Sequence, residues 1–314
     1  IYKGNQGSIS GEDIQLTSNA RAPSATTYGE LPAFANVQNQ IFKEDLLGSA
    51  DFESADSDNS GTARNADDLI SFYLNETKQV SSNGVAFNQL TEKGVASALS
   101  YADAAAILNN FRTDGVESED KWNEAFGHLG APRNFKVVLD VDGGGNGLTD
   151  GPSGGKFQDI DGNHTTNLVT EGVYIWAGYT AERAAAAEAT GNPNNFAARA
   201  FDAFVDGRKA IDNDNTDKLS GSDGFAATAL NAWEATVAVN VIHYINGMEA
   251  NLEGLDDTKT IEDGDVGKGY WGEAKAFLWA LQFESELTDS ELETLHSQVG
   301  NDPPFGELEG QEYE

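Results

Sequence analysis

From Gly224 to Leu252, apolar residues return every three or four positions for about seven turns, which commits the chain to at least one long helix. Ala226, Leu230, Trp233, Val237, Val241, Tyr244, Met248 and Leu252 form the stripe. Val239 and Ile242 fall outside it, so this helix is apolar on more than one side and is expected to be central, with other elements packed around it.

The remaining segments follow the same period. "ADDLISFYL" puts Leu69, Ile70 and Tyr73 on one face, and the segment from Phe87 to Phe111 carries Val95, Leu99, Ala102 and Ala106 in steps of three and four. "NNFAARAFDAFVDGRKAI" aligns Ala197, Phe201, Phe204 and Val205, with Arg199 and Asp206 off the stripe. Trp271, Ala274, Phe277, Leu278 and Leu281 define a further helix. The last one begins at "TDSE", where Thr288 and Glu291 have capping-box spacing; Leu292, Leu295 and Val299 follow, and "DPP" closes it. Period-two alternation appears only in short pieces such as "FKVVLDV". The fold class is therefore all-α, one helical bundle or paired bundles with long acidic Gly/Asp-rich loops. Residues 1–35 read as an irregular N-terminal segment. Residues 36–302 read as the bundle domain, with a Gly/Asp-rich insertion at 140–167, and residues 303–314 as an acidic C-terminal tail.

Charge narrows the partners. Of 314 residues, 52 are Asp or Glu and 19 are Lys or Arg, for a net charge of −33. Phosphate backbones and anionic membrane surfaces would be repelled, so nucleic acid and such membranes are excluded as partners. A salty medium, divalent cations or plain solubility would each account for the excess. The chain has no cysteine, which removes disulfides, thiolate metal sites and cysteine catalysis. No apolar run approaches the length of a membrane span. An opening Ile1 in place of methionine favours an exported product whose targeting segment has gone, although a fragment of a longer chain would open the same way.

The acidity gathers in loops. "DSDNSGTARNAD" supplies Asp56, Asp58, Ser60, Gly61, Thr62 and Asp67 at positions 1, 3, 5, 6, 7 and 12 of an EF-hand-type loop. Ca²⁺ takes about six to eight oxygens, and a glycine turn lets one short segment wrap it. Asp67 stands where the usual glutamate would close the cage, and its arm is shorter. The alternative is a solvated Asx-rich turn capping the next helix. "DVDG" at Asp140 recurs as "DIDG" at Asp159, offering Asp140, Asp142, Asn146 and Asp150, then Asp159, Asp161 and Asn163. Bunched carboxylates repel one another, and a cation removes that cost. The alternative there is a salt-adapted surface insertion. "IDNDNTD", from Ile211 to Asp217, reads as a solvated loop after a helix.

Catalytic motifs are missing: no H-E-x-x-H, G-x-S-x-G, phosphate-binding loop or dinucleotide fingerprint occurs in a suitable context. Trp122, Glu124, Phe126 and His128 crowd a helix end marked by Gly127 and Gly130. Packing explains that cluster first, and a ligand cleft formed by Trp122, Glu124, His128 and His243 second. His243, between Ile242 and Tyr244, reads as a core histidine before it reads as a ligand.

The blocks "NGVAFNQLTEKGVASALSY", "KWNEAFGHLGAP", "AFDAFVDGRKAI", "WEATVAVNVIHYINGMEANL" and "GEAKAFLWALQF" are together similar to an uncharacterised family of exported bacterial proteins, often lipoproteins, that distantly resembles the imelysin-like proteins. The likeness spans about Gly84 to Gly300. It implies an all-α bundle and an envelope or extracellular location, without a settled activity. The G-x-H-x-x-E motif of imelysin-like metallopeptidases is absent, and "HYINGME" separates His243 from Glu249 by six residues, which is not one helical face.

The leading expectation is an exported, non-enzymatic helical protein that binds Ca²⁺ in its loops and offers a surface or cleft to a ligand or protein partner. The alternatives are a surface-layer or filament subunit whose self-association Ca²⁺ mediates, and an imelysin-like metal-dependent hydrolase using His128, Glu124 or His243.

Overall fold

The computed structural model describes residues 85–94, 98–114, 118–132, 135, 139, 173–189, 195–253, 266–283 and 285–300. Both acidic loops, the helix expected at 66–74, the N-terminal segment and the acidic tail lie outside them. The described residues include eight α-helices with stated bounds and no strand: α1 Phe87–Lys93, α2 Leu99–Asp114, α3 Glu119–Leu129, α4 Ile175–Ala189, α5 Phe196–Asp212, α6 Phe225–Glu253, α7 Val266–Ala280 and α8 Asp289–Val299. One 3₁₀ turn, Thr216–Lys218, joins α5 to α6 within an exposed stretch, as expected of "IDNDNTD". Phe135 and Leu139, placed by sequence in an alternating piece, are helical and buried. Of the Phe87–Phe111 segment, α1 and α2 hold the α-helical parts, and Gly94 and Ala98 between them are π-helical.

The 29-residue α6 is the hub, packing against α7, α5, α2 and α4. Its stripe is buried from Ala226 through Leu230, Trp233, Val237, Val241 and Tyr244 to Met248. Off the stripe the sequence expectation fails at one point, because Ile242 is 55% exposed and one side of the helix reaches solvent there. By length and composition the stretch Phe225–Ala250 could cross a membrane, which the sequence reading did not anticipate. Just over half of its most apolar window is covered within the bundle.

Aromatic edges tie the helices together. Tyr101, Trp176 and Trp233 meet with ring centroids 5.8–6.1 Å apart, and Trp176 also meets Phe277 at 5.7 Å. Such edge-on contacts add about 0.5–1.5 kcal/mol each beyond area burial. Small residues let the helices approach: Gly207 on α5 lies flat under the Trp122 ring, and a β-carbon there would collide with it. At the far end Thr288 and Glu291 form the reciprocal capping box that their spacing predicts. The fully buried Lys275 of α7 donates to the carbonyls of His296 (3.0 Å) and Gly300 (2.7 Å), closing the C-terminal turn of α8.

Candidate metal centre

Helices α2 and α3 pack side by side and antiparallel. Phe111, late in α2, meets Trp122, early in α3, edge-on at 5.0 Å. Further along the pair Asp103 comes opposite His128. Glu124 and His128 lie four residues apart on α3, so both project from the same face. Ser118 caps α3 by accepting from the Lys121 N–H, and Gly130 ends it in the left-handed conformation at φ 76°. Those two signals fix the length and rotation of α3, and hence where its two polar side chains emerge.

The result is a group of three. One ligand atom each from Asp103, Glu124 and His128 lies within 4.8 Å of the others. Asp103 is 5% exposed, and the Glu124 and His128 side chains are 20% and 16% exposed. His128 Nε2 approaches Asp103 Oδ2 to 2.8 Å, yet Oδ2 receives no hydrogen bond, so the ring N–H axis is not aimed at it. Glu124 is split: Oε2 accepts from Lys121 Nζ at 2.8 Å, whereas Oε1 is shielded from solvent and has no donor. Two buried carboxylate oxygens therefore stand without donors beside an imidazole nitrogen. That is a costly arrangement for a bare protein and an ordinary one for metal ligands.

Of the residues assigned by sequence to a ligand cleft, the structure brings Glu124 and His128 together and adds Asp103. Trp122 is elsewhere: 1% exposed, it donates from Nε1 to the Phe204 carbonyl at 2.8 Å and is a core residue. His243 is not in the core, as its apolar neighbours suggested, but exposed on α6 with its ring 5.0 Å from that of Tyr244. The twelve loop ligands, Asp56 to Asp67 and Asp140 to Asn163, lie outside the described residues. Asp103 was missed. Its signal was an acid set among Ala102, Ala104 and Ala105, one turn after Leu99 and one before Ile107, inside an otherwise apolar helix.

No family model, curated protein or solved structure matches this chain.

Proposed function

We propose that this chain is a metal-binding helical-bundle protein that holds one divalent first-row metal ion through Asp103, Glu124 and His128. The supporting observation is the pair of solvent-shielded carboxylate oxygens, Asp103 Oδ2 and Glu124 Oε1, left without donors within reach of the His128 imidazole. A cation would satisfy both oxygens and offset their mutual repulsion. The donor set selects the class of ion. Ca²⁺ and Mg²⁺ favour shells made wholly of oxygen, whereas an imidazole with two carboxylates suits zinc, iron or manganese. Lys121 would act in support, engaging Oε2 so that Oε1 faces the ion. Three protein donors leave coordination positions for water or a ligand, the arrangement of a working centre rather than a closed structural one.

Metal uptake tests this directly. Chelating-resin-treated full-length chain, dialysed against Zn²⁺, Mn²⁺ or Fe²⁺, is expected to retain one equivalent more than the Asp103→Asn/His128→Ala variant. Equal retention by the two folded proteins would overturn the assignment.

The calcium reading is carried by sequence spacing alone, at Asp56–Asp67 and Asp140–Asn163, and stands as a second proposal about different residues. Calorimetric titration with Ca²⁺ tests it, and absence of both heat and a rise in melting temperature would end it. Export, an imelysin-like bundle type and a bound ligand or partner complete the reading, and they rest on the sequence blocks.

A further inference from the structure

The seam between α4 and α6 is polar where a bundle interior is normally apolar. Thr180 and Thr236, 1% and 0% exposed, share a hydrogen bond of 3.1 Å. One turn along, the fully buried Asn240 donates from Nδ2 to the Thr236 carbonyl at 2.8 Å. Its Oδ1 accepts from Arg183 Nε at 2.9 Å. The guanidinium carbon of Arg183 lies 5.7 Å from the centroid of the Tyr244 ring. Arg183 is thus held on two sides, by a buried amide at Nε and by an aromatic face, while its stem remains half-buried. His243, three residues beyond Asn240 and on the same side of α6, is exposed beside the Tyr244 ring.

The terminal edge of the guanidinium is the unusual part. Its two NH₂ groups carry four N–H donors in a fixed plane. Among the described residues no carboxylate or carbonyl engages them. Acids outnumber bases 52 to 19 in this chain, and Lys93, Lys121, Arg208 and Lys209 each reach a carboxylate. Among the described residues, Arg183 is fixed in place by buried groups yet meets no acid. Long side chains lose rotamer entropy when pinned, and here a buried amide and an aromatic face hold one.

We propose that Arg183, held by Asn240 and Tyr244 beside His243, anchors a second site, which binds a small oxyanion of the carboxylate or phosphate type through the guanidinium edge. Two parallel N–H groups match two oxygens of either anion, and the planar fork gives a directionality that a lysine point charge lacks. His243 contributes as a neutral ring, because partial burial and the charge of Arg183 both lower its pKa. The imidazole can then donate or accept without adding charge. A chain at −33 repels anions at long range, so selectivity must come from this local geometry, and binding should strengthen with added salt up to the point where salt screens the contact itself.

The test uses full-length protein freed of metal on chelating resin, at matched ionic strength with chloride as the control anion. Inorganic phosphate and acetate are titrated separately, with heat and melting temperature as readouts, so that the two arms separate a phosphate ligand from a carboxylate one. At least one is expected to give a saturable response that chloride does not, to lose at least tenfold in affinity in Arg183→Lys, and to vanish in Arg183→Gln. His243→Gln should weaken it less. The Asp103→Asn/His128→Ala variant should respond as the parent does, which keeps this site separate from the metal centre. No saturable response to either anion in the parent chain would overturn the proposal, whether or not Arg183→Gln folds. So would an unchanged response in Arg183→Lys and Arg183→Gln, since the seam would then be only a lock between helices.

Discussion

At the junction of α1, α4, α6 and α7, Lys93 lies 2.7 Å from Glu92 and 3.4 Å from Glu273, and its ammonium stands 5.5 Å from the centre of the Tyr179 ring. Between α2 and α3, Asp103 and Glu124 present shielded oxygens that no donor meets. Both clusters bury charge, but only the first is closed. Burial alone would lower the Lys93 pKa, and its contacts with Glu92 and the Tyr179 hydroxyl outweigh that and raise it. Glu273 moves the other way from a well-paired acid: burial raises its pKa, and Lys93 and Tyr244 only partly oppose this. Burial is the larger effect on Glu273, and Lys93 at 3.4 Å offsets it only in part. No shielded atom of Lys93 or Glu273 lacks a partner. One cluster has settled its charges internally, and the other is arranged as if a cation were to settle them.

The comparison breaks most visibly if a partner is taken from the closed cluster. Lys93→Met leaves Glu273 buried with its cation gone, a loss of about 3–5 kcal/mol by analogy with buried pairs cut on one side. Urea denaturation at pH 7 measures it. The loss should shrink toward pH 5, where the stranded Glu273 can take up a proton, and Lys93→Met/Glu273→Gln should be less damaged than Lys93→Met alone. A loss independent of pH would mean that packing, and not charge, holds this junction.

At the open cluster the corresponding experiment is addition rather than removal. A metal supplied at a hundredfold excess over its dissociation constant should stabilise the chain by about 2.7 kcal/mol, and His128→Ala should show none of that gain. Melting curves with and without Zn²⁺ decide it.

His296 provides a third case, a buried group kept neutral. It is fully buried, and burial together with the nearby Lys275 lowers its pKa to about 3. The unfolded chain protonates this residue near pH 6.5 and the folded chain does not, so the contribution of His296 to stability is present above pH 6.5 and is lost as pH falls. The loss should reach about 2 kcal/mol at pH 5 relative to pH 8. Subtracting the pH profile of His296→Gln from that of the parent isolates this part from the many carboxylates.

Much of the fold was legible in sequence because helices write their burial pattern at a period of 3.6. The α6 stripe, the Ala197–Phe201–Phe204 stripe of α5 and the Thr288–Glu291 box could be read that way. Ile242 and His243 could not, because periodicity shows which residues share a face but not whether a neighbouring helix covers it. At the metal centre, the i,i+4 pair Glu124 and His128 was visible, whereas Asp103 depended on the pairing of α2 with α3, a tertiary fact. The same holds for Arg183 and Asn240, which sit 57 residues apart and meet across a helix seam. Local order left traces along the chain, and contacts between helices left almost none.

The smallest effect separates the two clusters most cleanly. In the metal-free chain, Asp103→Asn removes a buried carboxylate whose Oδ2 has no hydrogen-bond donor and lies 2.8 Å from the His128 ring, and replaces it with a neutral amide of nearly the same shape. A buried carboxylate is costly where its neighbour is a neutral imidazole, so at pH 8 the substitution should be neutral or stabilise the metal-free protein by about 1 kcal/mol. With metal present the sign should reverse, because the variant forfeits a ligand and the binding energy that goes with it. No such reversal is expected for Glu273→Gln, whose partner Lys93 belongs to the chain and is present under every condition. Chemical denaturation of parent, Asp103→Asn and Glu273→Gln, each with and without Zn²⁺, reads all three outcomes. If Asp103→Asn destabilises the metal-free chain as much as the metal-treated one, the carboxylate is already satisfied without an ion, and the two clusters are of the same kind.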